Sequence, residues 1–266
     1  MVGMRLLKRW PALYELAAGV YFAVQPSRIR ERLHGTRVHE EWWETRHIHG
    51  GNDWDPKDTS RSADDWVLGY WASRDHPHRT FLLERIAAHA PFTSVLEIGA
   101  NCGPNLDLLA RRFPDARLTG LDINPEAVAV GQRLMEAEGL TNVKLQVGRA
   151  DDLSQFPDNS FDIIFTDAVL IYVGRDKIRQ VVREIMRVAR RAVLFLEQQG
   201  TRPRSKDPQG MGYHHHSLWL RDYAALLHSY LPEGNIRLTR FTPDVWPDES
   251  WIRHGAVIEG ILPPVS

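Results

Sequence analysis

The residues best suited to chemistry gather in one short run. Glu97, Gly99, Asn101 and Gly103 occupy alternate positions at the end of the apolar stretch Val95-Leu96-Glu97-Ile98. Val95, Leu96 and Ile98 read as a buried strand, and Gly99 to Gly103 as a turn with little side-chain bulk. Asn105 to Phe113 has helical spacing. Glycine lacks a Cβ, so a ligand can approach such a turn closely. The helix that follows offers it free N–H groups. Leu118-Thr-Gly-Leu-Asp122 reads as a second strand ending in an acid. An acid about 20 residues beyond such a turn can accept hydrogen bonds from both hydroxyls of a ribose. A proton acceptor is available in the run His214, His215, His216. Histidine suits that role because its ordinary pKa lies near 6.5. Three adjacent side chains cannot all face one pocket, and a solvated loop explains the run equally well. His215, the central member, is the first candidate base. Asp167, Tyr172, His47 and His49 are the alternatives.

The turn does not match the dinucleotide fingerprint Gly-x-Gly-x-x-Gly, because Asn101 follows Gly99 and Asn105 lies beyond Gly103. The spacing Glu97-x-Gly99-x-Asn101-x-Gly103 instead resembles the Glu/Asp-x-Gly-x-Gly-x-Gly signature of class I S-adenosylmethionine-dependent methyltransferases. Asn101 replaces the middle glycine, and asparagine tolerates the left-handed backbone region. Gly148-Arg-Ala-Asp-Asp-Leu153 resembles the segment after that family's third strand. Phe161-Asp-Ile-Ile-Phe-Thr-Asp-Ala-Val-Leu170 resembles its fourth strand and the loop beyond.

The resemblance implies S-adenosylmethionine as cofactor and a site for it. The turn, with Gly99, Ala100, Asn101 and Gly103, runs beneath the methionine part, which Glu97 helps orient. Asp122 holds the ribose, with Asn124 beside it, and Ile123 lies on the adenine. Ala150, Asp151, Asp152 and Leu153 surround the adenine end, where Arg149 departs from the acid that family members often carry. Asp167 and Ala168, with Thr166, border the methyl group. Tyr70, Trp71 and Tyr172 are the aromatics expected nearest the cofactor.

These residues need a frame. Strands are expected near 94–98, 116–121, 142–147, 161–166, 191–197, 235–241 and 254–261. Helices are expected near 63–72, 77–90, 104–113, 125–138, 176–190 and 217–230. The alternation implies an α/β fold with a parallel sheet and right-handed crossovers. The resemblance sharpens this to a Rossmann-like class I methyltransferase fold. That fold has a mostly parallel seven-stranded sheet, helices on both faces, and a final hairpin with one antiparallel strand at the edge. Residues 1–75 read as a helical N-terminal cap and 76–266 as the cofactor-binding domain. Residues 48–62 read as a loop.

The chain has 266 residues, 43% of them hydrophobic, enough for one large α/β domain with an extension. Its 33 basic and 34 acidic residues give no pull toward nucleic acid. The lone Cys102 excludes an internal disulfide and fits the reducing cytoplasm. Leu6, Trp10, Leu13, Ala17, Val20, Tyr21 and Val24 recur at helical spacing. That stripe, within residues 4–24, predicts packing on the domain, a homodimer contact or peripheral membrane contact. Nine tryptophans, among them Trp42, Trp43, Trp54, Trp66, Trp219, Trp246 and Trp251, offer faces for a sugar ring or a flat acceptor. The reading is O-methylation of a hydroxyl on a small molecule, sugar or glycan intermediate, with no metal. The competing readings are N- or C-methylation of a natural product, an aminopropyl transferase, and a non-catalytic protein of the same fold.

Overall fold

The computed structural model describes residues 35–46, 63–200, 209–215 and 218–264. The stripe in residues 4–24 and the loop at 48–62 lie outside them. Seven strands form one sheet: β1 Ser94–Ile98, β2 Arg117–Asp122, β3 Val143–Val147, β4 Phe161–Asp167, β5 Ala189–Gln198, β8 Ile236–Arg240 and β9 Gly255–Ile261. Their order is β3-β2-β1-β4-β5-β9-β8. The first five are parallel, and β9 runs antiparallel to both β5 and β8. Every residue of β1 and β4 is buried, as expected for central strands covered on both faces.

The faces divide by the two-residue period of a strand. Val95, Ile163 and Phe165 enter one core cluster, while Leu96, Ile98 and Ile164 enter the other. Eight α-helices accompany the described sheet: α1 Arg37–Glu44, α2 Ala63–Ala72, α3 Pro77–Ala87, α4 Pro104–Arg112, α5 Pro125–Ala137, α6 Ile178–Val188, α7 Tyr223–Leu227 and α8 Glu249–His254. Helix α6 shows how a face is covered. Ile178, Val181, Val182, Ile185 and Val188 recur at helical spacing and all are buried. On the opposite face, Trp66, Val67 and Trp71 of α2 join the cluster that contains Val95. Helix α2 therefore packs into the same core as the sheet.

One stretch differs from expectation. Residues 217–230 do not form a single helix. Strands β6 Tyr213–His215 and β7 Leu218–Leu220 make a separate hairpin, and α7 starts only at Tyr223. The start is set by Asp222, whose side chain accepts a hydrogen bond from Ala225 N at 2.9 Å. Before it, Leu218 and Leu220 alternate with Trp219, a strand pattern rather than a helical one. Helix α3 ends at Ala87, just before the Ala90–Pro91 bond, because the residue before a proline disfavours helix.

Candidate active site

The strand order reverses between β1 and β4, and a crevice opens at such a switch point. The turn after β1 forms its floor. Gly99, Asn101 and Gly103 all take positive φ, at 76°, 51° and 83°. Gly99 N and Ala100 N both donate to Leu121 O, at 2.7 and 3.0 Å, which ties the turn to β2. At the end of β2, Asp122 accepts from Asn101 N at 2.7 Å and Asn124 N at 2.8 Å. Asn124 itself caps α5 by accepting from Glu126 N and Ala127 N. Asp122 is thus not spent as a cap. These backbone bonds leave its carboxylate with unused lone pairs. Burial pushes its carboxyl above the usual range, and the backbone N–H groups of Asn124 and Asn101 oppose that.

A second acidic centre lies beneath the turn. Asn105 Nδ2 donates to Glu97 Oε1 at 2.7 Å and to Asp167 Oδ2 at 3.0 Å. Glu97 Oε2 and Asp167 Oδ1 are buried and have no partner among the described residues. Burial pushes the Glu97 carboxyl well above its usual range, and the neighbouring Asp167 charge adds to this. Burial would raise Asp167 as well. His78, Arg79 and Asn105 overcome it and hold that carboxyl far below the ordinary value. Asp167 is ionised, and its Oδ1 can accept from a donor or a cation.

Asp167 also anchors the start of α3. His78 Nε2 lies 3.1 Å and Arg79 Nη1 3.3 Å from its Oδ2. His78 Nδ1 hydrogen-bonds to His76 Nδ1. His78 Nε2 donates to the ionised Asp167. The amide of His78 donates to the same His76 nitrogen at 3.4 Å, so the His76 side chain caps α3. Burial lowers the His76 pKa below 6.5, and the charges of His78 and Arg79 lower it further. The imidazole of His76 is therefore a neutral base at neutral pH. Burial pushes the Tyr70 hydroxyl up to about 12, so it serves as a neutral donor.

One cavity of about 1310 Å³ joins these groups. Gly99, Asn101, Asp122, His76, His78, Asp167 and Trp246 all line it. Among the described residues no cluster of three or more His, Cys, Asp or Glu side chains could hold a metal ion. No helix there is long and apolar enough to cross a membrane.

A family model for a methyltransferase domain matches residues 95–192, the span from β1 to β5 that holds the turn, Asp122 and Asp167. The chain carries a class I S-adenosylmethionine-dependent methyltransferase domain. Catechol O-methyltransferase of Bos taurus is 27% identical, over 46% of this chain and 46% of that protein. Ajmaline N-methyltransferase of Rauvolfia serpentina is 32% identical, over 36% of this chain and 32% of that one. The chain spans about half the length of the first curated relatives it matches. The solved geranyl diphosphate C-methyltransferase of Streptomyces coelicolor A3(2) shares the fold at a TM-score of 0.52. It is 13% identical, over 68% of this chain and 75% of that one. Oxygen, nitrogen and carbon acceptors all occur among these names.

The methyltransferase cavity includes most of the cofactor residues expected from sequence. Asn124, Ile123, Ala150, Asp151 and Ala168 line it with Gly99, Asn101, Asp122 and Asp167, as do Tyr70 and Tyr172. Other residues sit elsewhere. Glu97, Ala100, Gly103 and Leu153 are packed away from the cavity, Leu153 in the core cluster with Leu96. Asp152 is exposed, and its carboxylate accepts from Ser154 N. Thr166 turns away and donates to Glu197 Oε1 at 2.8 Å. Trp71 is buried beneath the Arg74 guanidinium. Arg149, the departure at the adenine end, pairs with Glu40 and Asp151. His214 and His215 lie on a hairpin strand rather than in a loop. The backbone of His214 and His215 is in β6, their side chains are not described, and His216 lies outside the described residues.

Sequence reasoning missed His76, His78 and Arg79. The signal was present as His76-Pro77-His78-Arg79, a proline at a helix start with two flanking histidines. Their partner Asp167 lies 89 positions beyond His78, so only the fold unites them.

Proposed function

We propose that the protein methylates a hydroxyl oxygen of a small molecule, with His76 taking the hydroxyl proton. When bound, S-adenosylmethionine supplies an electrophilic methyl group on a sulfonium. The residues present fit that cofactor. Asp122 keeps lone pairs for a ribose diol, and the unpartnered Oδ1 of the ionised Asp167 suits its cationic end. The observation that carries the oxygen acceptor is the chain His76, His78, Asp167 on the cavity wall. A hydroxyl must lose a proton as its oxygen is methylated. A ring nitrogen of His76 receives it, and the new imidazolium is stabilised through His78 by the ionised Asp167.

Tryptophan faces give the sugar reading little support. Trp246 is already stacked on His78 at 4.1 Å and on Trp251 at 3.9 Å. A second reading keeps the base within His214 to His216, because the hairpin reaches the cavity through Leu218, the partner of His215.

The test is turnover on a panel of small hydroxyl and amine acceptors, followed by S-adenosylhomocysteine release. Hydroxyl acceptors should turn over, and His76→Asn should lower that rate by roughly 10²–10⁴-fold. Turnover confined to amines, unaffected by His76→Asn, would overturn the proposal. Loss of turnover in His215→Ala but not in His76→Asn would transfer the role to the hairpin.

A further inference from the structure

Helix α1 and the residue before it touch three loops at once. Thr36 donates from N and Oγ1 to Asp176, at 3.1 and 2.7 Å, and Gly174 N donates to Thr36 Oγ1 at 2.8 Å. Glu40 pairs with Lys177 at 2.7 Å and with Arg149. Trp43 O accepts from Asn124 Nδ2 at 2.8 Å. The three loops follow β2, β3 and β4, and each supplies cavity wall. Yet α1 has no buried residue of its own. It is held by polar ties and by the Trp43 ring, which packs on the core beside Trp66 and meets the edge of Tyr172 at 5.0 Å. An element with so few apolar contacts opens locally at low cost.

Trp43 is also the residue of α1 with an unmet demand. It lines the cavity, and its Nε1 is buried with no partner among the described residues. A buried indole N–H ordinarily finds an acceptor. The tie to Asn124, two residues past Asp122, places Trp43 beside the proposed ribose site. The nucleoside end of the cofactor carries ribose oxygens and adenine ring nitrogens, all acceptors.

We propose that α1 is the closing wall of the cofactor site, with the Trp43 indole N–H donating to the nucleoside part of the bound cofactor. The inference rests on the cofactor reading above. The sequence of events it implies is simple. The Glu40 ties to Lys177 and Arg149 open, the cofactor enters beside Asp122, and the ties re-form over it.

The test uses the full chain and S-adenosylhomocysteine, with affinity by calorimetry and dissociation by displacement of labelled ligand. Trp43→Phe keeps the ring and removes the donor. It should weaken binding by about 5-fold, the scale of one hydrogen bond. Glu40→Gln alters an ion pair at the surface of the wall and should speed dissociation several-fold. Raised salt should do the same to the unaltered protein but not to Glu40→Gln. Unchanged affinity in Trp43→Phe together with unchanged dissociation in Glu40→Gln overturns the inference. If Asp122→Ala still weakens binding in that case, the cofactor reading stands without it. Absence of binding by the unaltered protein sinks both.

Discussion

His78 Nε2 lies 3.1 Å from Asp167 Oδ2, so the start of α3 and the C-terminal end of β4 meet in one buried pair. Arg79 and Asn105 reach the same oxygen, at 3.3 and 3.0 Å. Three donors on one carboxylate oxygen keep Asp167 ionised despite burial. They leave its Oδ1 without a partner among the described residues. The same carboxylate thus orients a base on one side and offers charge to the cavity on the other.

The first prediction concerns that base. The His76 pKa is lowered from 6.5, first by burial and then by His78 and Arg79. Turnover on a hydroxyl acceptor should rise with pH on the acid side and level off before neutrality, because His76 acts when unprotonated. The acid limb should vanish in His76→Asn, while calorimetric affinity for S-adenosylhomocysteine stays within about 2-fold, as for a residue outside the cofactor contacts. An unaltered acid limb in that variant would remove His76 from the mechanism.

A second prediction follows from Glu197. Its Oε1 accepts from Thr166 Oγ1, Val169 N and Leu170 N, and its Oε2 from Ile171 N. It therefore holds the loop that carries Val169 and Tyr172 into the cavity wall. Burial pushes its carboxyl from 4.5 up to about 7, against the pull of those donors. The folded protein then keeps a proton that the unfolded chain has released. Stability from this group is full below pH 4.5 and is lost as pH rises to about 7. Glu197→Gln cannot titrate. The stability of the unaltered protein relative to this variant should fall by a few kcal/mol across that window, at about 1.4 kcal/mol per unit. Parallel melting curves for the two proteins from pH 4.5 to 7 would show that Glu197 is already ionised.

Gly99 supplies the third. A Cβ at this position would come within 2.1 Å of Val169 Cγ2, and the φ of 76° disfavours any side chain. The obstacle is a residue of the loop after β4, not only the space a cofactor needs. Gly99→Ala should cost roughly 1–3 kcal/mol in strain alone. Val169→Ala should return part of the further loss, so the double variant should be more stable than the sum of the singles. Strict additivity in denaturant unfolding would show that the two side chains do not compete.

Much of the frame was legible because local signals agreed with the fold. Strand β1 has the expected bounds, since Val95, Leu96 and Ile98 form an unbroken apolar run for a strand buried on both faces. Asn101 takes the left-handed conformation its residue type allows, at a φ of 51°. Asn124 caps α5 and frees Asp122, as their order suggested. Other features depend on contacts across the chain. The pairing of His78 with Asp167 has no local signature. The hairpin at 213–220 was hidden because its strands are three residues each and border a short helix. The tryptophan count spoke for aromatic recognition, but Trp246 and Trp251 stack on each other, and Trp66 carries the Arg46 guanidinium. Composition registers how many rings exist, not which faces remain open.

The claim that the crevice between β1 and β4 holds S-adenosylmethionine is tested most directly by calorimetry with S-adenosylhomocysteine. Asp122 is the residue to change, because its carboxylate is positioned by Asn101 N and Asn124 N but caps nothing. The unaltered protein should bind. Asp122→Ala should bind about 10- to 100-fold more weakly, the scale for losing charge-assisted hydrogen bonds of about 1.5–3 kcal/mol. Equal affinity in the two proteins, or no binding by either, would contradict the account.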